Sequence, residues 1–425
     1  RLDGQSHTQS LRAMLAEWSR PPACRDSPMK QFGSGFSRSS ALDKIAIVIQ
    51  RYSQVTGGSE AEARAYARLL RRHFEVEIIT TTARDVATWA NELPAGEFHE
   101  DGILVRRFPV STGRSRYWEA LYDIYLRALA AGVRTSHAFQ EEWIRRQGPH
   151  SEELLEHLRQ KGREYRAIVF FTYLYSPTYF GLHITSPARN LLVPTLHDEP
   201  AAQMECFRDL PGLCNEIIFN AEAERRLAQR LWNIDGGEVA GFPVSCPESP
   251  YQKADAYVLY AGRIEPGKGC DEMLAFFEHH ASEQPGIRLV LIGKQDMPLP
   301  TRPWLEFKGF VAEENKKELM SRAICFLMPS RNESFSIASL ESMAAGVPVV
   351  ATSGSAVLAD HIHASQCGRL YESEESFSSA IAAYRNDPEL RTREGKDGRA
   401  YVRSRYSEDV IEAVLLKAIH SLPGR

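Results

Sequence analysis

Short runs of β-branched and aliphatic residues alternate along the chain with segments whose apolar positions recur every three or four residues. The first run, "KIAIVIQ" (44–50), reads as a strand buried on both faces. "TGGSEAEARAYARLLRRHF" (56–74) follows with helical spacing. Gly57 and Gly58 predict a turn, Ser59 an N-cap, and Glu62 the closing member of a capping box. "VEIITT" (76–81) is the next strand, so the unit is β-α-β and predicts a parallel sheet with right-handed crossovers. Further strands are expected at 167–172, 190–196 and 215–220. A second alternating set follows, with strands at 257–262, 287–293, 323–329 and 347–352 and helices at 270–283, 313–322, 337–345 and 374–386. The last helix, 407–422, carries an apolar stripe at 410, 411, 414, 415, 418 and 419 that must be buried.

The predicted fold class is therefore α/β, two Rossmann-like parallel-sheet domains in tandem. The first spans 44–245 and is interrupted by a helical, aromatic-rich insertion at 117–166. A Gly-, Pro- and Ser-bearing linker at 236–256 leads to the second, 250–403, and 404–425 forms the terminal helix. Residues 1–43 lack periodicity and predict a poorly ordered arm with one short helix near 9–19.

Composition narrows the partners. A net charge of −4 gives no electrostatic reason to expect nucleic acid. No apolar run reaches the roughly 18 residues of a membrane span. Seven scattered cysteines without a C-x-x-C pair point to reduced thiols and a cytoplasmic setting. The basic stretch "RRFPVSTGRSR" (106–116) reads as a solvated loop, with an anionic lipid or acidic acceptor as the rival reading. The helix at 221–232 reads as packed on its own domain rather than lying on a membrane surface. His361-x-His363 lacks further ligands at metal-binding spacing.

Two tandem sheets of this kind leave a cleft between their strand C-termini, where ligands bind. Beside it fall two motifs. "AGRIEPGKG" (261–269) sets Arg263 and Lys268 in a glycine-bearing loop before a helix, a site for a diphosphate. It lacks the P-loop pattern, and no G-x-G-x-x-G occurs in either glycine-rich loop. "RNESFSIASLESMAAGVPVVAT" (331–352) then puts Glu333 at a strand end and Glu341 inside the helix that follows. The backbone amides of Ser334, Phe335 and Ser336 open that helix and suit phosphate. Carboxylates at two levels suit the hydroxyls of a sugar and of a ribose.

These pieces, in this order, resemble the nucleotide-sugar domain of GT-B glycosyltransferases of the large retaining family numbered four, the group 1 glycosyl transferases. The likeness is densest over 257–352 and looser across 44–422. It implies a GT-B fold, with a central cleft and the terminal helix crossing back to the first domain. It also implies that Arg263 and Lys268 bind the donor diphosphate, that Glu333 holds donor-sugar hydroxyls and that Glu341 holds the ribose. Phe310 and Val311 match the segment that meets the base, Gly57 and Gly58 the loop near phosphate and acceptor, and His197 a residue beside the donor sugar. Arg263, Lys268, Glu333 and His197 are thus the expected catalytic set. Where many members have glycine, this chain has Ser334 and Ser336, which bears on the choice of sugar.

The expected reaction is retaining transfer from a nucleoside-diphosphate sugar to a glycan, lipid-linked or small-molecule hydroxyl, in polysaccharide biosynthesis. No cofactor is implied beyond the donor substrate. No D-x-D pair occurs, so no metal is needed to explain the site. The expected setting is cytoplasmic, with room for peripheral contact to the inner face of a membrane. A sugar-nucleotide isomerase on the same architecture would need more acids and histidines in the first domain than "HDEP" (197–200) supplies. A non-catalytic sugar-nucleotide-binding scaffold is opposed by the intact Arg263, Lys268, Glu333 and Glu341.

Overall fold

The structure, a computed structural model, describes residues 42–53, 57–247 and 255–423; the expected arm and its short helix lie outside them. The first sheet contains β1 (Lys44–Val48), β2 (Glu75–Thr81), β3 (Gly96–Glu100), β4 (Ile103–Phe108), β5 (Ala167–Phe171), β6 (Asn190–Val193), β7 (Glu216–Phe219) and β8 (Glu238–Val239). Their order is β3-β4-β2-β1-β5-β6-β7-β8. β1 is central, and Ile45 through Ile49 are fully buried, as a two-faced apolar run requires. The second sheet contains β9 (Tyr257–Ala261), β10 (Arg288–Ile292), β11 (Leu305–Phe307), β12 (Phe326–Met328), β13 (Val349–Thr352) and β14 (Gly368–Tyr371), in the order β11-β10-β9-β12-β13-β14. Every pairing in the second sheet is parallel.

The first sheet departs from the expected all-parallel form at one edge. β3 and β4 are antiparallel, joined at Asp101-Gly102, both with positive φ (50° and 72°). Asp-Gly between two short strands is the hairpin signal the sequence offered at "HEDGIL" (99–104). Arg106, Arg107 and Phe108 are therefore strand, and the expected solvated loop begins only after them. The first helix also begins differently. Gly57 is its N-cap, no side chain caps it, and Ser59 lies inside it. Glu62 forms no capping box but is buried, accepting from Asn220 Nδ2 at 3.2 Å.

Between β4 and β5 the chain forms helices Trp118–Ala130, His137–Gln147 and Glu152–Lys161. The helix Pro388–Tyr406 was not legible in the pattern, because nearly half of its residues are charged and few are apolar. Its packing face includes glycine: a Cβ at Gly395 would lie 2.1 Å from the Gly346 carbonyl oxygen. The hydrophobic pattern cannot register a contact made by the absence of a side chain.

The terminal helix, Glu408–His420, crosses back onto the first lobe. Ile411, Leu415, Ala418 and Ile419 are buried, and Glu408 and Glu412 pair with Arg72, just past the Gly58–Leu70 helix, at 2.9 and 3.1 Å. Ile411→Val removes one methylene from this fully buried position. It should lower the free energy of unfolding by about 1 kcal/mol in urea titration, with an unchanged m-value.

The Glu222–Trp232 helix buries Ala223, Ala228 and Trp232, and its Arg226 reaches Asp360 of the second lobe at 2.7 Å. Among the described residues no helix is long and apolar enough to cross a membrane.

Candidate active site

The C-terminal ends of β9 and β12 set the geometry. After β9 the chain turns through Pro266–Lys268 into the Cys270–Glu283 helix. The Tyr260 hydroxyl donates to the Arg263 carbonyl at 2.7 Å and fixes the turn. Gly269 has φ +72°, and a Cβ there would lie 2.6 Å from the Pro329 carbonyl oxygen. Only glycine permits so close an approach in the left-handed region. That approach brings the two motifs together, and Lys268 Nζ donates to Glu333 Oε1 at 2.8 Å. The pair is partly exposed, 27% and 12% for the two side chains.

His197 follows β6 on the opposite lobe. It lines, with Glu333, Asp198 and Arg331, a cleft of about 380 Å³ between the lobes. Its Nδ1 is buried and has no hydrogen-bond partner among the described residues. Burial holds its pKa below the usual imidazole value, Glu199 and Glu333 oppose this, and Lys268 reinforces it. His197 is thus a neutral imidazole at pH 7, within the electrostatic reach of Lys268 and Glu333.

The other expected residues take separate places. Arg263 pairs with Glu265 at 3.1 Å, its guanidinium 59% exposed. Glu341 lies within the Ile337–Ala345 helix and binds Lys316 at 2.8 Å. Burial pushes the Glu341 carboxyl up, and Lys316 pulls it back. Lys316, which holds Glu341, is not among the residues the sequence singled out. In "EENKKELM" (313–320) it looks like any helix-surface lysine beside Lys317.

Ser336 caps the Ile337–Ala345 helix with φ 63° and ψ 64°. This left-handed conformation explains why glycine is favourable at that position, and the Ser336 hydroxyl bonds that of Ser339 at 2.8 Å. Ser334 precedes Phe335, whose ring is buried and meets those of His361 and Tyr406 edge-on. His361 bonds the Phe335 carbonyl oxygen at 2.9 Å and the Tyr401 hydroxyl at 2.9 Å. It therefore braces the start of this helix. Among the described residues no group of three or more His, Cys, Asp and Glu is placed to hold a metal ion.

Phe310 is 69% exposed, and Val311 packs against the core. The Gly309 carbonyl just before them accepts from the Gly293 amide at 2.9 Å, which ties this segment to the loop after β10. Gly57 and Gly58 lie at the start of the first helix. Nearby, Glu60 is buried and bound to Arg51 Nε at 2.6 Å.

Residues 247–401 match the family model described as "Glycosyl transferases group 1". The second lobe is thus similar to the group 1 glycosyl transferases. The chain is 29% identical over 264 residues to phosphatidyl-myo-inositol mannosyltransferase of Mycolicibacterium smegmatis, 56% of this chain and 67% of that one. It spans about two thirds or less of the length of the curated relatives it matches. Among solved structures it resembles sucrose-phosphate synthase from Thermosynechococcus elongatus, with a TM-score of 0.64, 16% identity and coverage of 89% and 99% of the two chains. It also resembles Anabaena Alr3699/HepE, solved in complex with UDP and glucose, with a TM-score of 0.61, 14% identity and coverage of 89% and 100%. The chain therefore has a GT-B fold: two Rossmann-like lobes, a cleft between them, and a terminal helix returning to the first lobe.

Proposed function

We propose that the protein is a retaining glycosyltransferase that moves a sugar from a nucleoside-diphosphate sugar to an acceptor hydroxyl without a bound metal. The observation that carries this reading is the Lys268–Glu333 pair, 2.8 Å across, facing His197 in the interlobe cleft. The bond broken in glycosyl transfer joins a phosphate to a sugar carbon. A cation for the phosphate and a carboxylate for the sugar hydroxyls, held this close together at the cleft, suit that junction. UDP and glucose in the Anabaena relative support such a donor.

Lys268 stabilises the negative charge that builds on the leaving diphosphate. Arg263 turns from Glu265 to the same diphosphate, and the amides of Ser334, Phe335 and Ser336 add donors. Glu333 accepts from hydroxyls of the donor sugar. Glu341, oriented by Lys316, accepts from the ribose, and exposed Phe310 stacks on the base beside Val311. The backbone at Gly57 and Gly58 lets phosphate and acceptor approach. Neutral His197 orients the sugar. In front-face displacement the anomeric carbon–oxygen bond to phosphate breaks as the acceptor oxygen bonds to that carbon, and the acceptor proton passes to a phosphate oxygen.

The acceptor is a glycan, a lipid-linked sugar or a small polyol, in polysaccharide assembly. The mannosyltransferase named for phosphatidyl-myo-inositol supports the lipid-linked case. A cytoplasmic setting with peripheral membrane contact belongs to the same proposal, and accords with the free cysteines among the described residues.

Calorimetric titration with UDP-, GDP-, ADP- and TDP-glucose tests the donor. One base should bind, and free nucleoside diphosphate should appear only with an acceptor present, the product anomer matching the donor by NMR. Conversion of the nucleotide sugar to an epimer without acceptor would instead establish the isomerase.

A further inference from the structure

The loop after β4 leaves one cation unmatched. Arg114 lies with its guanidinium carbon 4.5 Å from the Trp118 ring centroid and 6.0 Å from that of Trp89. Among the described residues it forms no ion pair and no side-chain hydrogen bond, and its Nε is buried without a partner. Tyr175, Asp85 and Glu119 act on it from beyond pairing distance, and burial outweighs them, holding its pKa below the usual guanidinium value. The backbone is pinned on both sides. The Arg114 amide donates to the Thr88 carbonyl at 2.9 Å and the Ser115 amide to the Arg146 carbonyl at 2.9 Å.

This loop lies at the C-terminal edge of the first sheet, the edge from which His197 enters the cleft. Trp89, after β2, meets Tyr175, after β5, edge-on at 5.2 Å. Tyr175 lies in the field of Arg114, Arg51, Glu60 and Glu199, and Glu199 also acts on His197. Two arginines thus flank one tyrosine at the C-terminal edge of the first sheet. Glu60 neutralises Arg51 at 2.6 Å; Arg114 has no such partner. A half-desolvated guanidinium held on aromatic rings offers its planar fork to a bidentate oxyanion, and the rings suit the C–H face of a sugar or polyol.

We infer that Arg114 is the specificity residue for an oxyanion, phosphate or carboxylate, carried by the acceptor, which is therefore an anionic sugar or polyol. The inference rests on the proposed transfer to an acceptor in this cleft. The test titrates the full chain, saturated with UDP, with glucose 6-phosphate, glucuronate and glucose. The phosphate or the carboxylate should bind about tenfold more tightly than glucose. The stronger of the two identifies the group. Arg114→Gln should erase the difference, and Arg114→Lys should keep part of it in a salt-sensitive form. No anion preference in the wild type overturns the inference, as does a preference unchanged in an Arg114→Gln protein that unfolds at the wild-type temperature. The four-nucleotide titration reports separately on the donor. Failure of all four nucleotides, with the anion preference intact, overturns the donor reading and leaves this inference standing.

Discussion

Lys268→Ala lowers the transfer rate by about 10²- to 10³-fold while moving the unfolding temperature little. Removing a fixed positive group from developing phosphate charge has a penalty of this size, because water in the site must reorganise to replace it. Stability responds weakly because the Lys268–Glu333 pair opens onto the cleft, and a solvated pair contributes about 0–1 kcal/mol. Glu333→Gln keeps the shape of the side chain and should lose activity on a similar scale, since an amide presents one acceptor oxygen where the carboxylate presents two. The two groups meet at the same bond, so the double variant should be less impaired than the product of the single losses. Release of nucleoside diphosphate in the presence of acceptor measures all three, and circular dichroism follows their unfolding. Wild-type turnover in either single variant would remove this pair from the mechanism.

The second large effect lies beneath the site and depends on pH. Glu62 and Glu224 are both buried in the first lobe. Glu224 accepts from the backbone amides of Leu196 and Asn220, each at 2.6 Å. Glu62 accepts from Asn220 Nδ2 at 3.2 Å, and its Oε1 has no hydrogen-bond partner among the described residues. Burial first, and then the Glu224 charge, push Glu62 up to about 8. Burial pushes Glu224 up as well, against the pull of its amides. Both carboxyls are pushed up to about 8; Glu224, with two amide donors, is the first of the pair to ionise, and Glu62 is the last to give up its proton.

A carboxyl whose folded pKa is raised binds its proton more tightly folded than unfolded. Its stabilising effect is complete below the unfolded value and is lost as pH rises through the folded one. Unfolding temperature should accordingly fall between about pH 4.5 and about pH 8 through this pair. Glu62→Gln cannot ionise. It should flatten the decline and, at pH 9, exceed the wild type by about 1–3 kcal/mol. Calorimetric scans from pH 5 to pH 9 compare the two. Parallel curves would place the proton elsewhere.

Much of this was written in local pattern. Consecutive apolar runs gave the central strands, because a strand covered on both faces needs no alternation. The order of "AGRIEPGKG" and "ESFSIASLESMAAG" pointed to the family and to Lys268 and Glu333. The β3–β4 hairpin, which the strand pattern above does not include, also has a local signal at Asp101-Gly102, where both residues take positive φ.

The rest depends on contacts between distant positions. Lys268 and Glu333 are 65 residues apart, and Gly269 brings their loops together by fitting against Pro329. Lys316 meets Glu341 across 25 residues, and Glu62 meets Asn220 across 158. Nothing near Arg114 in the chain says that Trp89 lies beside it, or that no carboxylate among the described residues pairs with it. Sequence determined which residue types enter each strand end, since backbone periodicity is local. Tertiary structure decided which charges are paired, buried or left open, since desolvation and Coulomb energy depend on every neighbour in space.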